Sequence, residues 1–464
     1  MNNSTAAHKD ITPGFTYPQP KNEITIGDIG DKSLLLNFDG GNISSDGGAL
    51  LIREVETQIG LIKSMAGVIP DCRDARYVRH TLTDLLMQRV AQIACGYEDA
   101  DDCDDLRNDP VFKILVGRYP EIGNALSSQP TMSRFENSIT RTTLFRLATV
   151  FLDAFVTSYA SPPPVIVLDF DDTEDKVHGN QQLNLFNGYY GNHCFMPLHV
   201  YEGLSGKLIT TILKPGKRSD GKQMLSIVKR MIDSLHAQWP ETLIIFRGDS
   251  HFAFPAVMKY IEATENVMYV TGLTGNSRLK KKAEDVIGRA VGIYKKHGKK
   301  VVLFHSFYYQ AGSWDKPRRV IVKAEVTDSG KNIRFIVTDM AEAKASVLYK
   351  RIYCARGEDE LFIKDHKLYL KSDRTSCHKS AANQFRLFLH SAAYVFIHTL
   401  KTEILGGTTF ANATFETIRL RLLKVGARVR ELKTRVKIEL PSSFPLKNIV
   451  IRSFQVFGLL RSPG

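Results

Sequence analysis

Long apolar runs are missing from this 464-residue chain. Its most apolar late segment, SAAYVFIHTL (391–400), is too short to span a bilayer and carries His398, so no membrane role is expected. The N-terminus, MNNSTAAHKD, lacks the apolar stretch of a signal peptide. Cysteine is scarce and scattered: Cys72, Cys95, Cys103, Cys194, Cys354 and Cys377 include no pair at metal-finger spacing and read as reduced thiols of a cytoplasmic protein. Internal repeats and low-complexity tracts are absent. Acids are in deficit too, 49 Asp and Glu against 62 Lys and Arg, a net charge of +13. That balance points to a polyanionic partner, most commonly nucleic acid.

What is present divides the chain. Residues 1–30 are polar, rich in Pro and Gly, and read as a loose arm. Region 31–160 carries helical periodicity. In HTLTDLLMQRVAQIACG, Leu82, Leu85, Leu86, Val90 and Ile93 share one face and a Gly ends the run. TMSRFENSITRTTLFRLATVFLDAFVTSY opens on Ser133-x-x-Glu136, a capping-box pattern, and continues with Leu144, Leu147, Phe151 and Phe155. Between them, EDADDCDDLRND lacks EF-hand spacing and reads as an acidic solvated turn.

SPPP (161–164) breaks the chain before an α/β region. Strands are expected at 165–170, 194–201 and 207–213, then a helix near 220–236. The strand TLIIFRGD, a helix near 254–263 and the strand VMYVTG follow, an order that predicts a mixed sheet. From 273 to 345 the pattern turns to β, and 346–405 is helical again. The last segment, 406–464, is basic: residues 411–464 hold 11 Lys and Arg against 3 acids.

Chemistry concentrates in three places. VIVLDFDDTEDKVHG (165–179) sets an apolar run against Asp169, Asp171, Asp172, Glu174 and Asp175. Alternation along a strand puts Val165, Val167, Asp169 and Asp171 on one face, and Ile166, Leu168, Phe170 and Asp172 on the other. Two acids on one face at a strand end suit a hard cation; an acidic loop after a core strand explains them equally well. Asp172, Glu174 and Asp175 read as a solvated turn. A second strand, LIIFRGDSHF, ends on Asp249, and α/β folds place ligands at such strand ends. The third place, YCARGEDELFIKDHK, spaces Tyr353, Arg356, Glu360 and Lys367 onto one helical face. A solvated helix pairing Glu360 with Lys364 is the plain alternative, and it leaves Tyr353 and Arg356 unexplained.

Tyr-x2-Arg-x3-Glu-x6-Lys resembles the Y-R-E-K signature of bacterial insertion-sequence transposases with a DDE catalytic core on an RNase H-like fold. With LDFDDTED, GNQQLNLFNGYYG, RGDSHF and DRTSCHKSAANQFRLFLHSAAY, the likeness is greatest to the IS-thirteen-eighty group and covers roughly residues 40–450. The resemblance implies an α/β RNase H-like mixed-sheet core in two parts, 161–272 and 346–405. A β-rich insertion, 273–345, would interrupt it, with a mainly helical N-terminal region reading DNA and a basic C-terminal segment. It implies Asp171, Asp249 and Glu360 as the catalytic triad and the ligands of two Mg²⁺ ions, for which Mn²⁺ substitutes.

The same likeness implies cutting at terminal inverted repeats and transfer of the freed 3′-OH, through a hairpin at the element end in many such enzymes. Arg356 and Lys367 would hold DNA phosphates and Tyr353 the backbone of the terminal nucleotide. Trp314 of the insertion, beside Arg318 and Arg319, is the candidate for stacking on a flipped base. In the tail, Arg419, Arg421, Arg428, Arg430, Lys433 and Arg435 recur mostly at alternate positions and are expected on phosphates. The partners implied are double-stranded DNA and a second copy of the chain, at a bacterial nucleoid. Asp169 has no place in the triad; it orients a Lys or Arg or supports the metal ligands.

Two other readings stay open. Asp169-x-Asp171-x-Thr173 fits the nucleophile loop of haloacid-dehalogenase-type phosphatases, although Ala253 stands where that family wants a further Asp. The other is a DNA-binding protein with a decayed nuclease core, against which the presence of all three acids argues.

Overall fold

The computed structural model describes residues 23–458. The arm expected over 1–30 falls outside them as far as residue 22. Beyond it, Glu23–Ile29 and Lys32–Asn37 pair as an antiparallel hairpin in place of loose chain. Helix α1 (Leu82–Ala94) starts on Thr81, whose hydroxyl accepts from the Asp84 N–H while the Asp84 carboxylate accepts from the Thr81 N–H. The capping box expected at Ser133 does not form. Ser133 lies inside α2 (Gln129–Ser138), and Glu136 turns inward to two guanidiniums, Arg89 at 3.1 Å and Arg386 at 2.9 Å. Both partners are remote in sequence, and a carboxylate buried this deeply requires counter-charge. Thr140 is the residue that opens the next helix, α3 (Arg141–Thr157), by accepting from the Thr143 N–H.

Eight strands form the main sheet: β1 (Val165–Asp172), β2 (Leu198–Glu202), β3 (Leu208–Ile212), β4 (Leu243–Gly248), β5 (Val267–Leu273), β6 (Val301–Tyr309), β7 (Arg318–Thr327) and β8 (Gly330–Thr338). Their order is β6-β7-β8-β5-β4-β1-β2-β3. β1, β4 and β5 are parallel neighbours, and β2 runs antiparallel to both β1 and β3. Helices α4 (Gly221–Gln238) and α5 (Pro255–Glu262) cover one face, burying Val228, Ile232, Val257 and Ile261 against Ile166, Leu168 and Phe170. This is the mixed sheet that the strand order predicts.

Residues 273–345 are not a separate β unit. β8 pairs with β5, so the strands of this segment extend the main sheet. Nor are they all β: Ser277–Lys282 is helical, and so is α6 (Glu284–His297), which buries Val286 and Ala290 one turn apart and stops at left-handed Gly298. On the face away from α4, Val167, Ile245, Val270 and Ile336 pack against Leu348 and Tyr349. Those two residues begin the segment leading to α7 (Asp359–Lys364), which therefore approaches the face that carries Asp169 and Asp171. The N-terminal helices share one core with α8 (Ser380–Thr399) and with Phe415, Ile418 and Leu422 of the tail. Among the described residues no helix is long and apolar enough to cross a membrane.

Candidate active site

β1 and β4 lie side by side with Asp169 directly opposite Arg247. The guanidinium donates twice to the Asp169 carboxylate, and the arginine and aspartate side chains are 2% and 1% exposed. Its remaining arm, Nη1, donates to the Ile352 carbonyl at 2.6 Å. Gly203 makes the room: a Cβ there would sit 2.0 Å from Asp169 Oδ2 and 2.5 Å from Arg247 Nη2. Asp169 thus orients an arginine, one of the two roles left open for it, and that arginine anchors the segment bearing Tyr353 and Arg356. Arg247 itself was missed. Its signal is a single guanidinium in the apolar strand LIIFRG, which must find an acid on its own sheet face. The pair also removes Asp169 as a phosphatase nucleophile, because its oxygens are buried and engaged.

Asp171 is the penultimate residue of β1, and Asp249 follows β4. Burial pushes the Asp171 carboxyl up to about 7; Arg356 opposes the shift, and Asp249 and Asp172 reinforce it. Arg356 Nη1 is 3.2 Å from Asp171 Oδ2. Asp249 is fixed by accepting from the His251 N–H at 2.7 Å. The Tyr353 phenol lies over Gly272 of β5, where a Cβ would come within 2.8 Å of its hydroxyl. Lys367 donates to the Glu174 carbonyl and lies 3.4 Å from Thr173 Oγ1. The fold therefore gathers Asp171, Asp249, Tyr353, Arg356 and Lys367 from three distant segments.

Glu360 does not join them here. It is exposed in the first turn of α7, and among the described residues no three His, Cys, Asp or Glu side chains converge closely enough to hold a metal ion. The regular helical face expected over Tyr353–Lys367 does not form: Cys354–Glu358, between Tyr353 and Glu360, is a tight 3₁₀ stretch, and a change of pitch rotates later side chains out of phase with earlier ones.

The solvated turn expected at Asp172, Glu174 and Asp175 is also corrected. Asp172 faces the other side of the sheet and pairs with buried Lys214 at 2.6 Å. Asp175 is buried, accepts from the Thr375 hydroxyl at 2.6 Å, and is pushed up to about 7 by burial. Only Glu174 keeps partial exposure without a cation on its carboxylate. His199, opposite Asp171 on β2, is pushed down to about 3 by burial and then by Lys367, so the wall behind the acids is neutral.

The expected DNA-contacting residues divide. Trp314 is 6% exposed, packed edge-on against Tyr309 with Arg318 over its ring, so it offers no open face for a base. Arg318 is buried and paired with Glu262 and Asp315, and Arg319 donates to the carbonyls of Met340 and Ala341. These three fix the β6–β7 connection and the start of β7; the arginines' remote partners, Glu262 and the carbonyls of Met340 and Ala341, lie outside YQAGSWDKPRR. In the tail, Ala427–Leu432 is a strand with Ala427 and Val429 buried. Arg428 is exposed between them, and Arg430 is half-buried and paired with Glu439.

Two carboxylates with an arginine and a lysine beside them can hold a divalent cation and a phosphate together, which is the equipment of phosphodiester chemistry. Residues 27–462 match the family described as transposase DDE domain group 1, and the chain belongs to it. It is a DDE transposase, a protein of DNA transposition and recombination, and domains of this kind use divalent metal ions. No curated protein matches the chain. Among solved structures, the cryo-EM structure of a piggyBac transposase synaptic complex with hairpin DNA is similar at 12% identity and a TM-score of 0.43, over 81% of this chain and 79% of that one.

Proposed function

We propose that the chain cuts DNA at the inverted repeats ending an insertion sequence and joins the freed 3′ ends to a target, acting as a pair of copies at the nucleoid. One observation carries this reading: β1 and β4 run parallel and in register as far as Phe170 and Gly248, with Asp171 and Asp249 the next residues, and the Tyr353–Lys367 segment is tied to that face through Arg247. The strand order β3-β2-β1-β4-β5, with only β2 reversed, supports the RNase H-like core. The Tyr353, Arg356, Glu360 and Lys367 spacing supports the Y-R-E-K reading, and LDFDDTED, GNQQLNLFNGYYG, RGDSHF and DRTSCHKSAANQFRLFLHSAAY support placement in the IS-thirteen-eighty group.

Asp171 and Asp249, with Glu360 as third carboxylate, would hold Mg²⁺ or Mn²⁺. The raised Asp171 fits that role, because a carboxylate desolvated by burial, and then crowded by Asp249 and Asp172, favours added positive charge. Bound there, the ion supplies charge neutralisation at phosphorus and acidifies the attacking hydroxyl. Arg356, exchanging Asp171 for a phosphate oxygen, holds the scissile group. Lys367 holds the next phosphate, and the Tyr353 hydroxyl donates to the backbone. Arg428, outward on its strand, takes phosphates farther along the duplex.

The test is cutting of duplex DNA bearing the ends that flank the coding gene. Nicked or hairpin products are expected in Mg²⁺ and none in EDTA; a protein that binds these ends and cuts in neither is the non-catalytic DNA binder instead. A second expectation concerns pH. Cation binding must displace the Asp171 proton below about 7, so Mn²⁺ affinity rises about ten-fold per pH unit up to that point and then levels off. Arg356→Gln removes the group that holds the carboxyl down, so the midpoint moves to higher pH. Calorimetric titration reads both, and a midpoint that stays or falls in Arg356→Gln refutes this account of Asp171.

A further inference from the structure

From Val177 to Tyr201 there is no Asp, Glu, Lys or Arg, in a chain whose residues are 24% charged. The middle of this stretch is a hairpin, Leu185–Asn187 paired with Asn192–Phe195. Its tip is built to be rigid. The Asn187 side-chain oxygen accepts from the N–H groups of Tyr189 at 3.0 Å and Tyr190 at 3.4 Å, and left-handed Gly191 closes the loop onto the Asn187 carbonyl at 2.8 Å. The rings are ordered too, with Tyr189 edge-on to Tyr190 at 4.9 Å. Yet the apolar side chains face water: Tyr189 is 88% exposed, Phe186 58% and Leu183 60%. A fixed, exposed aromatic tip marks a binding surface.

The hairpin stands at the acids. Asn192–Phe195 pairs with Asp175–Lys176, just past the end of β1. Asn192 Nδ2 donates to Glu174 Oε1 at 2.6 Å, and the same Glu174 offers its carbonyl to Lys367. Burial raises the Tyr190 phenol, then Glu174, with Asp171 a smaller contributor, so the ring lies within electrostatic reach of the site. Beside the hairpin, the same Asn187 that caps the tip donates from Nδ2 to the Gly216 carbonyl at 2.9 Å, and exposed Lys217 and Arg218 follow. Arg218 in turn donates to the His251 carbonyl at 2.5 Å, just beyond Asp249.

We propose that this hairpin is a stacking platform for unpaired nucleobases of the DNA end being processed, with Tyr189 and Phe186 against the bases and Lys217 and Arg218 on the flanking phosphates. It deepens the transposase reading and rests on it. An uncharged tip has nothing for phosphate, whereas aromatic faces accept any base. The cations Lys217 and Arg218 sit beside the hairpin and not on it, where a backbone would pass. A second copy of the chain is the poorer fit, because a tip of a few side chains is far below the roughly 800 Å² per partner of a stable interface.

The experiment uses the full-length protein in EDTA, so that no strand is cut. The probes are a duplex with a single-stranded adenine tail carrying 2-aminopurine and the same duplex with an abasic tail. The base-bearing tail is expected to bind about ten-fold more tightly, with a change in 2-aminopurine fluorescence. Tyr189→Ala and Phe186→Ala, at exposed positions, should erase that preference while leaving the abasic probe unchanged, and Tyr189→Trp should restore it. Equal binding of both probes by the unaltered protein, or equal loss on both in Tyr189→Ala, overturns the proposal. So does a Tyr189→Ala variant that changes only self-association in sedimentation. A protein that cuts end DNA in Mg²⁺ yet ignores the tail's bases loses this proposal alone; one that binds neither probe and never cuts loses the transposase reading as well.

Discussion

Asp171→Asn and Asp249→Asn are each expected to lower Mg²⁺-dependent cutting by on the order of a thousand-fold or more, with DNA binding nearly unchanged. Both substitutions keep the local structure. In Asp249→Asn the side-chain amide retains an oxygen to accept from the His251 N–H. In Asp171→Asn the side chain stays close in size to its parent while losing the charge that faces Arg356. Glu360→Gln is the sharper arm. Its side chain is exposed in α7, so folding does not depend on it, and lost cutting would report on chemistry alone. Full cutting by Glu360→Gln removes it from the acid set, and full cutting by either Asp variant removes the proposed site. A gel-resolved cleavage assay beside a filter-binding assay separates these outcomes.

Breaking the Asp169–Arg247 pair should be nearly as severe, by a different route. Both groups are buried, so Arg247→Met strands a carboxylate and Asp169→Asn strands a guanidinium, each at a cost of about 3–5 kcal/mol. The double variant Asp169→Leu with Arg247→Met leaves no uncompensated charge, and its denaturation midpoint should return most of the way to the parent's. Its cutting should not return. Arg247 also donates to the Ile352 carbonyl, and that bond ties the segment leading into Tyr353 and Arg356 to β4. Recovery of both stability and cutting in the double variant would show the pair to be mere core filling. Failure of stability to recover would place the damage in packing around Gly203, where no Cβ fits.

Much of the scaffold was legible because it depends on short-range rules. Alternation in VIVLDFDD placed Asp169 and Asp171 on one face, and the sheet packs Val167 on that face and Ile166, Leu168 and Phe170 on the other. Helical spacing marked Leu82–Ala94. Where a remote partner intervenes, local rules misled. Ser133-x-x-Glu136 has the letters of a capping box, but Arg89 and Arg386 draw Glu136 into the core. Asp172 and Asp175 look like surface acids, but Lys214 and Thr375 hold them inside. KKKAEDVIGRAVGIYKKHG lay in a stretch that reads as β, yet its apolar spacing forms α6.

The sequence by itself determined which residues share a strand face or a helix turn, because those depend on backbone periods of two and 3.6 that each segment carries alone. It also determined the chemistry available: acids at two strand ends, a Tyr-Arg-Glu-Lys run and a basic tail. Only the tertiary structure decided which charges meet. Asp169 is neutralised by a residue 78 positions away and Asp171 is faced by one 185 away. A buried charge is settled by whatever counter-charge the packed sheet delivers to it, and sequence distance carries no record of that.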